Sequence, residues 1–307
     1  MNTSAPATPR RLLGIDWGTS NRRAYLVDAA GTCLATRADE QGMLAARPDF
    51  AGSFATLLAA LHVGADVPAV ASGMIGSAQG WREVPYLDIA VPLDALPDRL
   101  VRVDDPRAGR PCWLVPGYAQ RGADVDVMRG EETQLLGAVA LGRRDGWFVL
   151  PGTHSKWVRV EEGVIRRIAT FMTGELFATL CRQGTLAPLM ADDVDDEVDD
   201  DAAFVAGLDD ARRGAPLSNT LFGVRARVVT GAMPAAQARS FVSGLLVGTE
   251  FVACGHVDGA PLMCIGSPAL RDRYVRAAGH FGMTLDALDP DRVYCAALAR
   301  FLDRIPS

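Results

Sequence analysis

Apolar runs on either side of a Gly-Thr pair and polar residues predict two strand-turn-strand hairpins of the same kind. The first covers residues 12–27 and turns on Gly18-Thr19, and the second covers residues 147–160 and turns on Gly152-Thr153. Glycine lets a backbone approach a phosphate closely, and neighbouring hydroxyl and N–H groups can donate to its oxygens. Two such hairpins facing each other could therefore hold the phosphates of a nucleotide from both sides.

The hydrophobic pattern predicts further elements around the hairpins. The expected strands lie at residues 67–71, 112–115 and 262–265, and the expected helices at residues 50–62, 128–141, 235–254 and 291–305, with another helix ending at Phe281. The first strand runs into the glycine-rich segment Ser72 to Trp81, which either contacts a ligand or only connects two elements. Thr173 has two interpretations, a helix cap or a site residue. The spacing of Gly244 and Gly248 favours close helix packing over ligand contact.

A length of 307 residues exceeds an ordinary single core and suits two domains. We expect an N-terminal domain at residues 11–140, a C-terminal domain at residues 141–290, and a closing helix at residues 291–307 that packs back on the first domain. No apolar run approaches the roughly 20 residues of a membrane span, and residues 1–10 lack an apolar signal core. These features predict a soluble, cytoplasmic protein with no membrane partner.

Charge and cysteine content exclude several classes of function. Eight acidic residues lie between positions 192 and 201, and their charge of −8 is larger than the formal net charge of −6. We interpret this run as a solvated loop or helix start rather than a calcium site, because it lacks the glycine of an EF-hand loop. No basic stripe indicates nucleic-acid binding. The six cysteines are not clustered as zinc or disulfide frameworks require, so we expect buried apolar residues in a reducing compartment. Cys254-Gly255-His256 is interpreted as chance rather than a metal site.

Asp16 is the first candidate for chemistry, because it ends a strand immediately before Gly18-Thr19. A carboxylate at this place could hold hydrated Mg²⁺ beside phosphates, and a turn-capping aspartate is the alternative. The second hairpin has Pro151 at the equivalent place, followed by His154 and Lys156. Its composition indicates contact with an anion rather than a metal.

Transfer of a phosphoryl group to an alcohol also needs a carboxylate that accepts the hydroxyl proton. The segment Arg129 to Gly137 is the outstanding candidate, and within it Glu131 is our first choice for the base, with Glu132 as the second. The alternative is an ordinary charged helix start, since glutamate is favoured in a first turn.

Six segments, in this order, resemble those of the 2-dehydro-3-deoxygalactonokinase family: residues 16–21, 72–77 with Trp81, 128–134, 151–157, 172–176 and 243–248. The resemblance covers nearly the whole chain, and its most specific segments are Arg129 to Gln134 and Pro151 to Trp157. It implies an α/β fold with two actin-like, ribonuclease H-like domains and an interdomain cleft. It also implies an ATP- and Mg²⁺-dependent kinase that phosphorylates the 6-hydroxyl of 2-dehydro-3-deoxy-D-galactonate in galactonate catabolism.

The resemblance further implies two sets of site residues. The nucleotide set, with Asp16 also at the metal, comprises Asp16, Gly18, Thr19, Ser20, Gly152, Thr153, His154, Lys156, Gly266 and Ser267. The substrate set comprises Arg23, Gly73, Met74, Ser77, Trp81 and Arg129. A guanidinium can bind a substrate carboxylate bidentately, and Arg129 and Arg23 both remain candidates for it. Ser267 follows Gly266 where actin-like kinases commonly have a second glycine, which bears on the tightness of adenine binding.

Other functions remain open at this stage. The substrate could be the gluconate-derived epimer, or the chain could be a phosphohydrolase of the same superfamily. A sugar-acid or nucleotide-responsive regulator without turnover is a further alternative. The presence of both Asp16 and Glu131 argues against a regulator, because a binding module needs neither a metal carboxylate nor a base.

Overall fold

The computed structural model describes residues 10–190, 200–254 and 259–305. The acidic positions 192–199 and the Gly255-His256 pair lie outside the described residues. By contact, the chain divides into two compact units. Unit 1 comprises Met1–Asp145, Val160–Ile168 and Asp289–Ser307, and unit 2 comprises Gly146–Arg159 and Ala169–Leu288.

The strands and helices follow each other in chain order. The strands are β1 (Arg11–Trp17), β2 (Arg22–Asp28), β3 (Cys33–Asp39), β4 (Ala69–Gly73), β5 (Leu87–Asp88), β6 (Val101–Val103), β7 (Cys112–Leu114), β8 (Tyr118–Gln120), β9 (Asp126–Met128), β10 (Gly146–Leu150), β11 (Ser155–Glu161), β12 (Val164–Phe171), β13 (Leu262–Ile265) and β14 (Leu285–Leu288). The helices are α1 (Met43–Ala46), α2 (Phe50–Ala60), α3 (Glu131–Ala140), α4 (Thr173–Arg182), α5 (Asp201–Arg212), α6 (Leu217–Val229), α7 (Ala238–Cys254), α8 (Pro268–His280) and α9 (Pro290–Leu302).

A six-stranded sheet in unit 1 has the order β3-β2-β1-β4-β7-β6. Strands β1, β4 and β7 are parallel, β2 pairs antiparallel with β1, and β3 pairs antiparallel with β2. Leu13 of β1 and Phe54 of α2 belong to one buried apolar cluster. The register places Asp16 opposite Ser72 of β4 on one side and Arg23 of β2 on the other. The carboxyl ends of β1 and β4 therefore meet, and this edge is where open α/β sheets bind ligands.

Helix α9 also belongs to unit 1, and it packs where two glycines leave room. Leu298 of α9 covers Gly14 of β1, since a Cβ on Gly14 would lie 2.3 Å from the leucine Cδ1. A Cβ on Gly137 of α3 would lie 1.8 Å from the carbonyl oxygen of Val293. Asp289 caps the helix through its side chain, and a proline occupies the first turn.

Unit 2 contains a parallel arrangement of β10, β13 and β14 within a five-stranded sheet of order β12-β11-β10-β13-β14. Helices α5 and α7 meet backbone to backbone. A Cβ on Gly244 would lie 2.0 Å from the carbonyl oxygen of Phe204, and a Cβ on Gly207 would lie 2.1 Å from that of Phe241. A Cβ on Gly248 would lie 2.7 Å from the Cβ of Ala211 in α5. The packing role predicted for the glycine spacing is confirmed.

Two sequence-based expectations are wrong in detail. Helix α3 begins at Glu131 rather than at residue 128, because Asp126–Met128 pairs as strand β9 and Gly130 has a φ of +119° that no helix accommodates. Cys33 is exposed and Cys181 is half-buried, whereas the other four cysteines are buried as expected. Among the described residues, no helix is both long and apolar enough to cross a membrane.

Candidate active site

The carboxylate of Asp16 lies half-buried at the carboxyl end of β1. It makes no hydrogen bond or ion pair within the described part of the chain. Burial and the negative charge of Glu131 raise the pKa of Asp16 to about 6, against a smaller opposing effect of Arg23. Two neighbouring carboxylates, one of them without a donor, form a place that favours a cation.

This arrangement fits hydrated Mg²⁺, which keeps several waters and takes only one or two protein carboxylates. The observation that supports the fit is the lack of a hydrogen-bond partner for the Asp16 carboxylate next to the charge of Glu131. Clusters of three or more His, Cys, Asp or Glu side chains suited to holding a metal ion do not occur among residues 10–190, 200–254 and 259–305.

The backbone of the turn after β1 is held by hydrogen bonds from helix α1, and its side-chain hydroxyl groups are exposed. The backbone N–H of Met43 donates to the carbonyl of Gly18 at 2.8 Å, and that of Leu44 donates to the carbonyl of Thr19 at 3.1 Å. Thr19 and Ser20 are both exposed. The turn therefore has a fixed backbone and two exposed hydroxyl groups that can donate hydrogen bonds, as a phosphate-binding turn requires.

The loop after β4 begins at Gly73, which has a φ of +89°. A Cβ there would lie 2.8 Å from the carbonyl oxygen of Trp17 and 3.6 Å from Oδ1 of Asp16, so only glycine allows this approach. Met74 begins a short 3₁₀ helix that ends at Gly76, and the following Ser77 has a buried hydroxyl without a hydrogen-bond partner. The loop therefore passes directly beside the Asp16 carboxylate.

The guanidinium of Arg129 is buried next to this loop. Its Nη2 donates to the carbonyl of Val84 at 2.6 Å, and the group stacks over the ring of Tyr86 at 4.2 Å. Its Nε and Nη1 are buried without a hydrogen-bond partner. A Cβ on Gly76 would lie 2.9 Å from Nη1, which places this nitrogen against the 3₁₀ helix. Buried N–H groups without an acceptor are costly, so Nε and Nη1 favour an anionic ligand.

The two candidate bases differ in their surroundings. Glu132 is fully buried, and the backbone N–H of Gly130 donates to both of its carboxylate oxygens. Burial and the charge of Glu131 raise the pKa of Glu132 to about 8. Glu131 is half-buried, and its Oε2 accepts from the backbone N–H of Arg129 at 3.1 Å. The electrostatic effect on Asp16 shows that Glu131 faces the same region as that carboxylate.

Two other members of the predicted substrate set have partners of their own. Arg23 is half exposed, and its Nη1 forms an ion pair with Asp291 at 3.2 Å. Trp81 packs against Phe54 with ring centroids 5.5 Å apart. It also lines an open surface groove of about 470 Å³ whose lining residues include neither Asp16 nor Arg129.

In unit 2, the turn between β10 and β11 is held against the start of α4. A Cβ on Gly174 would lie 2.3 Å from the carbonyl oxygen of Gly152, and the backbone N–H of Glu175 donates to the carbonyl of Thr153 at 2.9 Å. Nε2 of His154 lies 2.7 Å from Oε2 of Glu175. The turn and the helix start thus form one rigid substructure.

The other predicted nucleotide residues of unit 2 flank this turn. A Cβ on Gly266 would lie 2.8 Å from Cγ of Pro151, and the exposed Ser267 precedes helix α8. Lys156 is buried, and its Nζ donates to the hydroxyl of Thr170 at 3.0 Å. Contact of this segment with an anion, which the sequence suggested, stays a prediction.

One buried group in unit 2 was not predicted from the sequence. The hydroxyl of Thr173 does not cap α4 but donates to the carboxylate of Glu250 in helix α7. Glu250 lies in an otherwise apolar helix segment, and a lone carboxylate there was the signal that could have identified it.

Comparison with known proteins gives a consistent result. The family model described as 2-keto-3-deoxy-galactonokinase matches residues 16–301. A Rhizobium meliloti (strain 1021) protein named "Probable 2-dehydro-3-deoxygalactonokinase DgoK1" is 38% identical over 293 residues, which cover 93% of this chain and 94% of that protein. The 2-dehydro-3-deoxygalactonokinase of Escherichia coli (strain K12) is 33% identical over 301 residues, which cover 94% and 96%.

Solved structures agree with the sequence relatives. The crystal structure of a Sinorhizobium meliloti protein, provisionally named as a 2-dehydro-3-deoxygalactonokinase, matches with a TM-score of 0.86 at 36% identity over 94% of this chain and 95% of that one. Component A of the Acidaminococcus fermentans (R)-2-hydroxyglutaryl-CoA dehydratase shares the fold alone, with a TM-score of 0.52 at 14% identity over 96% and 97%. The expected α/β fold of actin-like ATPases and sugar kinases is confirmed. The chain belongs to the 2-keto-3-deoxy-galactonokinase family and is a sugar-acid kinase.

Proposed function

We propose that the protein transfers the γ-phosphoryl group of ATP to the 6-hydroxyl of 2-dehydro-3-deoxy-D-galactonate, which gives ADP and 2-dehydro-3-deoxy-6-phosphogalactonate. The observation that carries the proposal is the combination, within unit 1, of the Asp16 and Glu131 carboxylates with the unpaired guanidinium of Arg129. Phosphorylation of a sugar acid needs groups for a metal and a proton at one end of the substrate and a cation for its carboxylate at the other. The names of the relatives supply the identity of the sugar acid.

Arg129 is our choice for the substrate carboxylate, in preference to Arg23. The Nε and Nη1 groups of Arg129 are buried without a hydrogen-bond partner in the protein, so both can still donate to an anionic oxygen. The neighbouring hydroxyl of Ser77 also lacks a partner and could donate to the same anion or to the adjacent keto oxygen. Arg23 is already paired with Asp291.

Glu131 is our choice for the base that accepts the proton of the 6-hydroxyl. Its carboxylate is half-buried, whereas Glu132 is fully buried and holds the backbone of Gly130 with both oxygens. As the bond between the 6-oxygen and the γ-phosphorus forms, the bond to the bridging β,γ-oxygen breaks and ADP leaves with its electron pair. The proton of the hydroxyl passes to the carboxylate of Glu131.

The nucleotide contacts are assigned separately in each unit. In unit 1, Asp16 would hold Mg²⁺ through its water shell, and Thr19 and Ser20 would donate to phosphate oxygens. Bound Mg²⁺ would neutralise charge on the phosphates. In unit 2, the Gly152-Thr153 turn would contact phosphates, with His154 and Lys156 behind it. Gly266 and Ser267 would line the adenosine side, supported by the contact of Gly266 with Pro151.

An assay of ADP release tests this proposal against the alternatives. We expect ADP to form only when the galactonate-derived keto-deoxy acid is present, and ³¹P and ¹³C NMR of the product to place the phosphate on carbon 6. ADP formation without any sugar acid would identify a phosphohydrolase. Preference for the gluconate-derived epimer, or a phosphate on another carbon, would overturn the proposed substrate or position.

A further inference from the structure

Helix α7 carries one fully buried carboxylate, that of Glu250, in unit 2. Burial raises its pKa, and hydrogen bonds from neighbouring side chains oppose that effect. The proposed chemistry does not use this group. Because a buried carboxylate is costly unless it is fully hydrogen-bonded, its partners indicate why it is there.

Four side chains bond to the Glu250 carboxylate. Ser155 Oγ and Trp157 Nε1 each lie 2.7 Å from its Oε2, and the hydroxyls of Thr173 and Tyr274 bond to its Oε1. The Tyr274 hydroxyl has a single proton, which it can give to Glu250 at 2.7 Å or to Ser155 Oγ at 3.0 Å. The carboxylate therefore joins strand β11, the first residue of α4, and helix α8.

Two of these partners lie at the two sides of the proposed phosphate turn. Ser155 follows the turn directly, and Thr173 precedes Gly174 and Glu175, the residues that contact the turn backbone. A cavity of about 60 Å³ in unit 2 is lined by both sides, through Gly152 and Thr173 among others. Any shift of the Glu250 carboxylate would move the turn and the helix start relative to each other.

We propose that Glu250 is a positioning residue for nucleotide binding, which fixes the Gly152-Thr153 turn and the start of α4 in the arrangement that receives the phosphates of ATP. This inference rests on the proposed function, because it requires that the turn contacts phosphates. Glu250 does not touch the nucleotide itself. It acts through Ser155 and Thr173, each of which it holds by a charge-assisted hydrogen bond.

Glu250→Gln is the main test variant. The indole of Trp157 can only donate a hydrogen bond, so the oxygen of the new glutamine amide must stay opposite its Nε1. The amide nitrogen must then face the hydroxyls of Thr173 and Tyr274. The side-chain volume is kept and the hydroxyls can rotate to accept, but the charge and the acceptor for Thr173 are lost. We expect the KM for ATP to rise by about tenfold or more, and the KM for the sugar acid to stay within twofold.

A merely structural role would give a different result. Loss of stability lowers the active fraction, and therefore kcat, without changing either KM. Asp210→Asn is the matched control, because Asp210 is a buried carboxylate in the same unit that pairs with Arg213, just after α5, and with Arg227 of α6. We expect it to lower thermal stability while the KM for ATP remains that of the wild type.

Thr173→Val removes one hydroxyl with little change of volume, and it keeps the test valid if Glu250→Gln fails to fold. We expect the same rise in the KM for ATP as in Glu250→Gln. The double variant should show no further rise, because both substitutions remove the same hydrogen bond between Thr173 and Glu250. An unchanged KM for ATP in folded Glu250→Gln or Thr173→Val, or additive effects in the double variant, would overturn the inference. Thr153→Val separates this failure from that of the proposed function: if it too leaves ATP binding unchanged, the turn does not contact the nucleotide.

Discussion

The backbone N–H of Gly130 donates to both carboxylate oxygens of Glu132, at 2.9 and 2.7 Å. Gly130 has a φ of +119° and immediately precedes helix α3. The buried carboxylate therefore stabilises a backbone conformation that only glycine adopts readily. The adjacent Glu131 is half-buried and accepts from the backbone N–H of Arg129 instead, so the two neighbouring glutamates differ in burial and in the backbone group that each one holds.

The pH dependence of stability should reveal the buried position of Glu132. Its pKa is raised from 4.5 to about 8, so between these values the folded state binds a proton that the unfolded state does not. The free energy of unfolding should therefore fall as pH rises through this window, by up to about 1.4 kcal/mol per pH unit from this group. Glu132→Gln cannot titrate, and urea unfolding at several pH values should show a shallower slope for it. Identical slopes would mean that Glu132 does not stay protonated in the folded protein.

Replacement of the proposed base should affect the chemical step alone. Glu131→Gln keeps the side-chain shape and removes its basicity, so we expect kcat to fall by about 10²–10⁴-fold while the KM for ATP stays nearly constant. Glu132→Gln should lower kcat much less, because its carboxylate holds the backbone of Gly130. Steady-state kinetics of both variants measure the difference. If Glu132→Gln lowered kcat severely and Glu131→Gln only mildly, Glu132 would be the base and Glu131 the residue that supports the backbone.

Removal of the charge of Asp16 should change the metal requirement. In Asp16→Asn we expect turnover to fall by orders of magnitude and the Mg²⁺ concentration at half-maximal activity to rise, because the amide holds the water shell of a cation less strongly than a carboxylate does. Circular dichroism would verify that the variant is folded. A folded variant with the magnesium dependence of the wild type would exclude Asp16 from the metal site.

The unpaired guanidinium of Arg129 predicts a selective loss of sugar-acid binding. Arg129→Met keeps the apolar stem and removes the donors, so we expect the KM for the sugar acid to rise by about 10–100-fold, since a hydrogen bond to a charged group contributes about 1.5–3 kcal/mol. Arg102→Met is the control, because Arg102 is an exposed arginine of unit 1 paired with Asp104. If Arg23→Met raised this KM and Arg129→Met did not, the carboxylate contact would belong to Arg23.

The local pattern of the sequence was sufficient to predict the strands of unit 1 that carry Asp16 and lead to Gly73. The apolar run ending at Asp16 predicts β1, and a parallel partner strand ending at Gly73 brings the two loops to one edge. The start of α3 could not be predicted, because an apolar periodicity does not reveal that Gly130 adopts a positive φ. The predicted helix therefore began at residue 128, which belongs to strand β9, instead of at Glu131.

Long-range pairing explains the other limits of the sequence analysis. The partner of Arg23 is Asp291, which lies 268 positions along the chain, so nothing near Arg23 indicates that its charge is already balanced. The donors to Glu250 likewise come from positions between 155 and 274. Such contacts depend on how helices pack on a sheet, which no local spacing encodes.

The contact between α5 and α7 gives a final prediction, about stability rather than catalysis. A Cβ on Gly244 would lie 2.0 Å from a backbone oxygen of α5, and the helices must separate to admit it. We expect Gly244→Ala to lower the free energy of unfolding by about 3 kcal/mol. Gly279→Ala is the matched control, because Gly279 also lies in a helix but has no atom within 4 Å of its Cβ position. Alanine there should raise stability by about 0.5–1 kcal/mol through its helix propensity. Urea unfolding of both variants measures the difference, and equal effects would show that the two helices do not meet backbone to backbone.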